Sequence, residues 1–310
     1  MAFHLDSDKL RDLDRSVALV TDGALVALGG GLSARLPMAL TRELIRQGRR
    51  GLHVVGSAHG IDVDLLIAAG AVAVCEESYV GFEQDLGLAP AYRRAARAGR
   101  GDGGVEIRES CCGTMLTQLR AAEMGVPFLP VRGVKGSDIR RLHPEYGEVT
   151  CPFTGETLVA VPPLRPDVAL IHAPFGDRHG NLHLEQPYVL DEHFAAASLR
   201  VLATVERITS TEEVRRAGIT IPAHAVTAVS EVPYGAHPAS CYPDYAYDRA
   251  HLRDYVRAAT EGGAALASYL DSFVTGTPTE EAYRKAIGPE RLARLASWSE
   301  SAEQWKELFA

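Results

Sequence analysis

Two adjacent cysteines stand ahead of a Gly-Thr pair in the stretch Glu-Ser-Cys-Cys-Gly-Thr-Met-Leu, residues 109–116. A thiol can serve as a nucleophile, an acid–base group, a metal ligand or a small apolar core residue. A disulfide between Cys111 and Cys112 would strain the peptide that joins them, which removes that alternative. Support for a metal site is thin. His172, His179 and His183 lie close in sequence, and the last two have the i, i+4 separation of helical zinc ligands. Gly180 and Asn181 between them signal a turn, and the chain has neither a Cys-x-x-Cys nor a His-Glu-x-x-His pattern. No metal is expected.

Three further stretches carry residues of interest. Gly29-Gly30-Gly31 follows an apolar run and precedes Pro37 at a helix start. Glycines there let backbone N–H groups approach an anionic ligand at a helix N-terminus; the same residues also suit a tight turn with no ligand. The spacing is not Gly-x-Gly-x-x-Gly, and no acidic residue follows at the distance a dinucleotide site needs. Ser57-Ala58-His59-Gly60-Ile61-Asp62 sits at the carboxyl end of an expected strand, where His59 either meets a ligand or decorates a loop. Residues 232–248 gather four tyrosines, His237 and three prolines on an irregular stretch. Such a segment lines a pocket or a subunit interface, or is a loop held by its own aromatics.

The bulk properties narrow the class. The net charge is −8, with acidic and basic residues mixed along the 310-residue chain. No basic face is available for phosphate backbones, so nucleic acid is not an expected partner. No apolar run approaches the ~18 residues of a membrane span. The N-terminal residues lack a basic region followed by an apolar one, so the expected location is cytoplasmic. Five scattered cysteines do not form a disulfide framework. Neither a Gly-x-Ser-x-Gly elbow nor a P-loop occurs.

These groups need elements to hold them. Strand-length apolar runs at 23–30, 51–57, 71–80 and 126–131 alternate with helical stretches at 36–48, 62–70, 90–99 and 114–125. That alternation predicts an α/β fold with an open, mainly parallel sheet covered by helices on both faces. Residues 133–165 form a Gly/Pro-rich excursion. Strands resume at 167–173, 199–208 and 224–233, and the chain from 247 onward reads as a helical C-terminal extension. One domain over residues 1–310 is expected.

The run from Asp22-Gly23 to Pro37 resembles the signature of the family I CoA-transferase α subunit. In that signature an Asp-Gly leads an apolar run, then Gly-Gly, then Pro seven residues on. Gly31 stands where the signature usually has an aromatic, and Arg35 where it has Gly. The likeness continues through residues 125–131, Gly136-Ser137, 166–173 and 205–216, and covers roughly residues 10–300. Residues 233–248 are similar to the corresponding stretch in the α-type chain of glutaconate CoA-transferase.

This resemblance implies the CoA-transferase fold and a homologous β subunit, in a heterodimer or heterotetramer. In the family a β-subunit glutamate, within a Glu-Asn-Gly-like stretch, attacks an acyl-CoA to give an anhydride and then an enzyme–CoA thioester. No Glu-Asn-Gly occurs in this chain. A CoA thioester is then the substrate, and no tightly bound cofactor is expected. In 3-oxoacid CoA-transferases a Gln-Gly-Thr segment enters the helix before Gly-Val-Pro, and its amide steadies the reacting carbonyl. Here that place reads Cys112-Gly113-Thr114. An amide donor to an oxyanion is worth ~2–4 kcal/mol, and a thiol replaces it poorly. Cys112 is therefore the candidate catalytic position. The candidate contacts to substrate or CoA are Gly29, Gly30, Gly31, Arg35, Ser57, His59, Tyr79, Gly113, Thr114, Lys135 and His237.

Three functions follow from the resemblance. The first is the α subunit of a transferase moving CoA between small, dicarboxylic acids. The second is a lyase or hydrolase of the same fold, in which Cys112 replaces the transferase glutamine. The third is a non-catalytic partner subunit that only binds acyl-CoA.

Overall fold

The computed structural model describes residues 8–99, 104–300 and 306. Seven strands form the central sheet: β1 (Leu25–Leu28), β2 (Leu52–Val55), β3 (Val72–Glu77), β4 (Glu106–Glu109), β5 (Val168–Asp177), β6 (Val201–Thr209) and β7 (Ala228–Glu231). Their order is β7-β6-β5-β1-β2-β3-β4, and every one of these pairings is parallel. An eighth short strand, Leu182–His183, pairs antiparallel with β5. The chain winds outward from β1 in one direction, then returns to β5 and winds outward in the other. Such a reversal opens a crevice at the carboxyl ends of the two inner strands.

Side chains alternate across this sheet, as the pleat requires. Val26 and Leu28 of β1, with Val168 and Leu170 of β5, enter one core. Ala27, Ala169, Ile171 and Ala173 enter the other. The first core is covered by helices Met38–Arg46, Ile61–Ala68 and Pro90–Ala98, the second by Cys112–Met124 and Asp191–Ala197. Burial on both faces is why these strands read as continuous apolar runs. The helices stop where the sequence places glycine. Gly125 at φ +67° closes Cys112–Met124 in the left-handed region, and the N–H groups of Gly125 and Val126 return to the carbonyls of Ala122 and Ala121.

Two segments differ from expectation. Glu-Ile-Arg-Glu, residues 106–109, is the edge strand β4 although no apolar run marks it. An edge tolerates charge because only one side is paired, and charge there discourages further pairing. The excursion after residue 133 holds regular structure. Leu129–Val131, Thr157–Val161 and Gly147–Thr150 make an antiparallel sheet over a small core of Val134, Tyr146, Val159 and Val161.

The C-terminal region is helical, from Arg249–Glu261 to Pro289–Ala296, and its Tyr255, Leu292 and Leu295 join the first core. A buried ion cluster fastens it. Arg42 is 2% exposed and donates to Glu280 from Nε at 3.0 Å and from a terminal nitrogen at 2.5 Å. It also donates to the His237 carbonyl at 2.8 Å and lies over the Tyr283 ring at 3.7 Å. Arg46 adds a 2.9 Å bond to Glu280. No helix among the described residues is long and apolar enough to cross a membrane.

Removing one partner of a buried ion pair leaves the other charge uncompensated. Glu280→Ala, which leaves the buried Arg42 without a carboxylate while Arg46 keeps Glu43 at 3.3 Å, should destabilise the protein by about 3–5 kcal/mol. Urea unfolding measures this; a midpoint within error of wild type would refute the anchoring role.

Candidate active site

Four strand ends deliver polar groups to one edge. β1 runs into Gly29-Gly30-Gly31, β2 into Ser57, β3 into Ser78, and β4 into Ser110 and the two cysteines. Cys112 opens the helix Cys112–Met124, behind Cys111 in an extended conformation that provides no side-chain cap. The first-turn N–H groups of a helix have no intrahelical acceptor. Those of Cys112, Gly113 and Thr114 have none elsewhere among the described residues. They face outward with the positive end of the helix dipole behind them.

The thiol of Cys112 is exposed and stands at the centre of a three-strand cluster. Ser57 Oγ donates to Cys112 Sγ at 3.1 Å, and Ser78 Oγ lies 2.8 Å from the same sulfur. Ser78 Oγ also donates to the Ser57 carbonyl. These three bonds form a consistent chain, with Ser57 donating to the sulfur, the thiol to Ser78, and Ser78 back to Ser57. Thr114 lies two residues further along the helix, 2% exposed, with Oγ1 unpartnered among the described residues. The loop through Gly133 passes beside that hydroxyl. It carries Lys135, half exposed, with Nζ 3.8 Å from Glu156.

Directly behind the cluster lies a buried ionisable group of residues. His59 and Asp62 are both fully buried, and His59 Nδ1 donates to Asp62 Oδ2 at 2.6 Å. Among the described residues His59 Nε2 has no partner, and neither oxygen of Glu77 has one. Burial alone would lower the His59 pKa, but the charges of Asp62 and Glu77 outweigh it and push it up to about 9. Burial raises Glu77, His59 partly offsets that, and Asp62 and Glu76 add to it, leaving the carboxyl at about 8. Tyr79, in the two-residue strand Tyr79–Val80 that pairs with Ala58–His59, is half-buried beside Gly81.

Several expected ligand contacts are engaged elsewhere. The three glycine N–H groups are all used internally: Gly29 to the Leu170 carbonyl, Gly30 to Asp191 Oδ1, and Gly31 to the Ala34 carbonyl. A turn whose donors are all satisfied cannot cradle an anion with them, so Gly29, Gly30 and Gly31 act as a structural turn. Gly30 has φ +73°, and a Cβ there would meet the Arg35 and Ala34 carbonyls at 2.5 and 2.6 Å. Arg35 is 3% exposed and binds Asp191 at 3.2 Å and the Pro187 carbonyl, so it is a clamp on this turn and not a free anion receptor. His237 is fully buried, with Nδ1 2.7 Å from the Tyr283 hydroxyl and Nε2 3.1 Å from Asp248. Both ring nitrogens serve the C-terminal anchor, which removes His237 from the substrate contacts.

The structure therefore brings Cys112, Ser57, Gly113 and Thr114 together, with His59 behind them. Sequence reasoning missed Ser78, Glu77 and Asp191. Ser78 had a usable signal, since it stands at the end of a strand just as Ser57 does. One metal-like grouping also exists, with ligand atoms of His172, Glu206 and Cys241 within 4.8 Å of one another. Glu206 already accepts from His172 at 2.7 Å, Tyr245 at 2.6 Å and the N–H groups of Tyr234 and Gly235 at 2.5 and 3.1 Å. Its oxygens are saturated, and the group is a hydrogen-bonded hub. Gly30→Ala, forced into a left-handed conformation against two carbonyls, should cost roughly 1–3 kcal/mol. A thermal midpoint unchanged from wild type would contradict the locked turn.

Comparisons with known proteins bear on the family and the fold. Residues 11–232 match the family model for coenzyme A transferase. The chain is 35% identical over 295 residues to the cholesterol ring-cleaving hydrolase IpdA subunit of Rhodococcus jostii, covering 90% of this chain and 96% of that one. It superposes on the crystal structure of glutaconate coenzyme A-transferase from Acidaminococcus fermentans with a TM-score of 0.86 at 29% identity, over 93% of this chain and 95% of the other. The decarboxylase AibA/AibB superposes with a TM-score of 0.77 at 32% identity, over 87% of this chain and all of that one. The chain spans 64% of the length of an uncharacterized Archaeoglobus fulgidus protein to which it is 32% identical. Sequence and fold together place the chain in the coenzyme A transferase family.

Proposed function

We propose that this chain is the α-type half of a two-subunit enzyme that moves coenzyme A between small carboxylic acids, at least one of them dicarboxylic. The observation that carries this reading is the donor face at the start of Cys112–Met124. The N–H groups of Cys112, Gly113 and Thr114 have no acceptor among the described residues, and the Ser57 and Ser78 hydroxyls hold the Cys112 sulfur at the start of that helix. Such a face suits an acyl oxygen that gains negative charge as its thioester carbonyl is attacked. A homologous β-type partner supplies the nucleophilic carboxylate. Its attack expels the CoA thiolate and leaves a mixed anhydride. The thiolate then attacks the glutamyl carbonyl, releasing the first acid and holding CoA as an enzyme thioester for the second. Dicarboxylic specificity is supported by the likeness to glutaconate CoA-transferase.

A second reading, hydrolysis or decarboxylation of a dicarboxylic acyl-CoA, is favoured by Cys112 itself. A thiol replaces the amide donor of the transferases, and similarity to the ring-cleaving hydrolase and to the decarboxylase AibA/AibB points the same way.

Two variants separate these readings in the complex co-expressed with its β-type partner. Glutaconyl-CoA and acetate are supplied, and acetyl-CoA, free CoA and CO2 are followed by mass spectrometry. Under the transfer reading Cys112→Gln restores an amide donor and raises acetyl-CoA formation about tenfold, while Cys112→Ala changes it little. Loss of all turnover in both variants, with CO2 or free CoA as the wild-type product, would overturn transfer in favour of the second reading.

A further inference from the structure

Glu77 and His59 take no part in the scheme above, yet they are the least satisfied buried groups near it. Both oxygens of Glu77 and Nε2 of His59 lack partners among the described residues, although the two are 2% and 0% exposed. Buried ionisable groups are almost always paired, and exceptions concentrate where polarity is used. Their placement is specific. A Cβ on Gly56 would lie 2.3 Å from Glu77 Oε1 and 2.7 Å from His59 Nε2, so only glycine lets the two side chains close on the same spot. Gly56 and Glu77 immediately precede Ser57 and Ser78, the two residues whose hydroxyls reach the Cys112 sulfur. The Glu77 carbonyl also accepts from the Ser110 N–H at 3.0 Å, which ties it to the segment leading into Cys112.

We propose that Glu77 and His59 are positioning residues that set the electrostatic polarity of the Cys112 cluster, so that it accepts developing negative charge only while Glu77 holds its proton. The proposal rests on the acyl-CoA reading of the same edge. With Glu77 protonated, the His59 imidazolium and the Asp62 carboxylate cancel, and the donor face keeps its positive character. With Glu77 ionised, Glu77, His59 and Asp62 together carry a net negative charge in a low-dielectric site one residue behind Ser78, where it opposes an oxyanion or a thiolate. The other charges that bear on the pair are Glu76 on Glu77, and Asp62 and Asp191 on His59. Glu76 is itself within 3.2 Å of His53, and Asp191 is held by Arg35 and the Gly30 N–H. Cys75 and Tyr92 also bear on Glu77, and as neutral groups they add no charge to the His59 imidazolium that partly offsets it. Since Glu77 titrates near pH 8 and His59 near 9, the cluster turns negative as the pH rises through about 8.

The probe is iodoacetamide, whose reaction with Cys112 in the co-expressed complex is followed by site-resolved mass spectrometry from pH 6.5 to 9. Glu77→Gln keeps the shape and removes the titration. At pH 6.5 the variant and wild type should alkylate at equal rates, and at pH 9 the variant should react at least threefold faster. A ratio constant across this range, as a purely structural role gives, would overturn the proposal. Should the variant fail to assemble, infrared difference spectroscopy of the wild-type complex decides. A protonated-carboxyl band lost between pH 7 and 9 supports the proposal, and its absence refutes it. The pH-dependent alkylation ratio obtained without turnover of any CoA ester would count against the proposed function and leave the electrostatic role standing.

Discussion

The Asp191 carboxylate joins the two halves of the edge that carries the candidate site. It is fully buried, accepts the Gly30 N–H at 2.9 Å and pairs with Arg35 at 3.2 Å. Gly29 has no room for a side chain because the same oxygen would lie 2.8 Å from its Cβ. Asp191 belongs to the chain after β5, and Gly30 to the turn after β1, so the bond crosses the point where strand order reverses. On the other side Arg35 donates its N–H to the Ser240 carbonyl, and Ser240 donates back to Ser33. The turn is closed from both directions, and its backbone donors are unavailable to a ligand.

With that crevice wall locked, the candidate site lies further along the edge, at the ends of β2, β3 and β4. Each contributes a short side chain: Ser57, Ser78 and Cys112. A parallel sheet brings successive strand ends about 4.8 Å apart, which is why three residues distant in sequence can share one sulfur. The helix beginning at Cys112 adds first-turn N–H groups that have no acceptor among the described residues. The buried His59, Asp62 and Glu77 supply charge from behind. In the proposed function these groups bind or polarise an acyl oxygen, and the attacking carboxylate comes from a second subunit.

Much of this was legible in the sequence because its causes are local or periodic. The apolar runs at 23–30, 51–57 and 167–173 mark strands buried on both faces, and Gly48, Gly70 and Gly125 mark where helices stop. The edge strand Glu106–Glu109 was not legible, since an edge needs no apolar run. At the site, Cys112 and Ser57 could be singled out by position. The fate of the three glycines could not, because whether a backbone N–H is free depends on Asp191, 161 residues away from Gly30. The same holds for Arg35 and His237. Both are residue types that bind anions or move protons, and both are consumed by long-range partners that no spacing rule reveals.

The most direct measurement is a crystal structure of the complex of this chain and its β-type partner, bound to a ketone analogue of an acyl-CoA in which CH2 replaces the thioester sulfur. The account predicts the acyl carbonyl oxygen within hydrogen-bonding distance of the first-turn N–H groups at Cys112–Thr114, and the partner's carboxylate facing the carbonyl carbon. An acyl group seated against Gly29–Gly31, with Asp191 and Arg35 displaced to free the glycine donors, would contradict it.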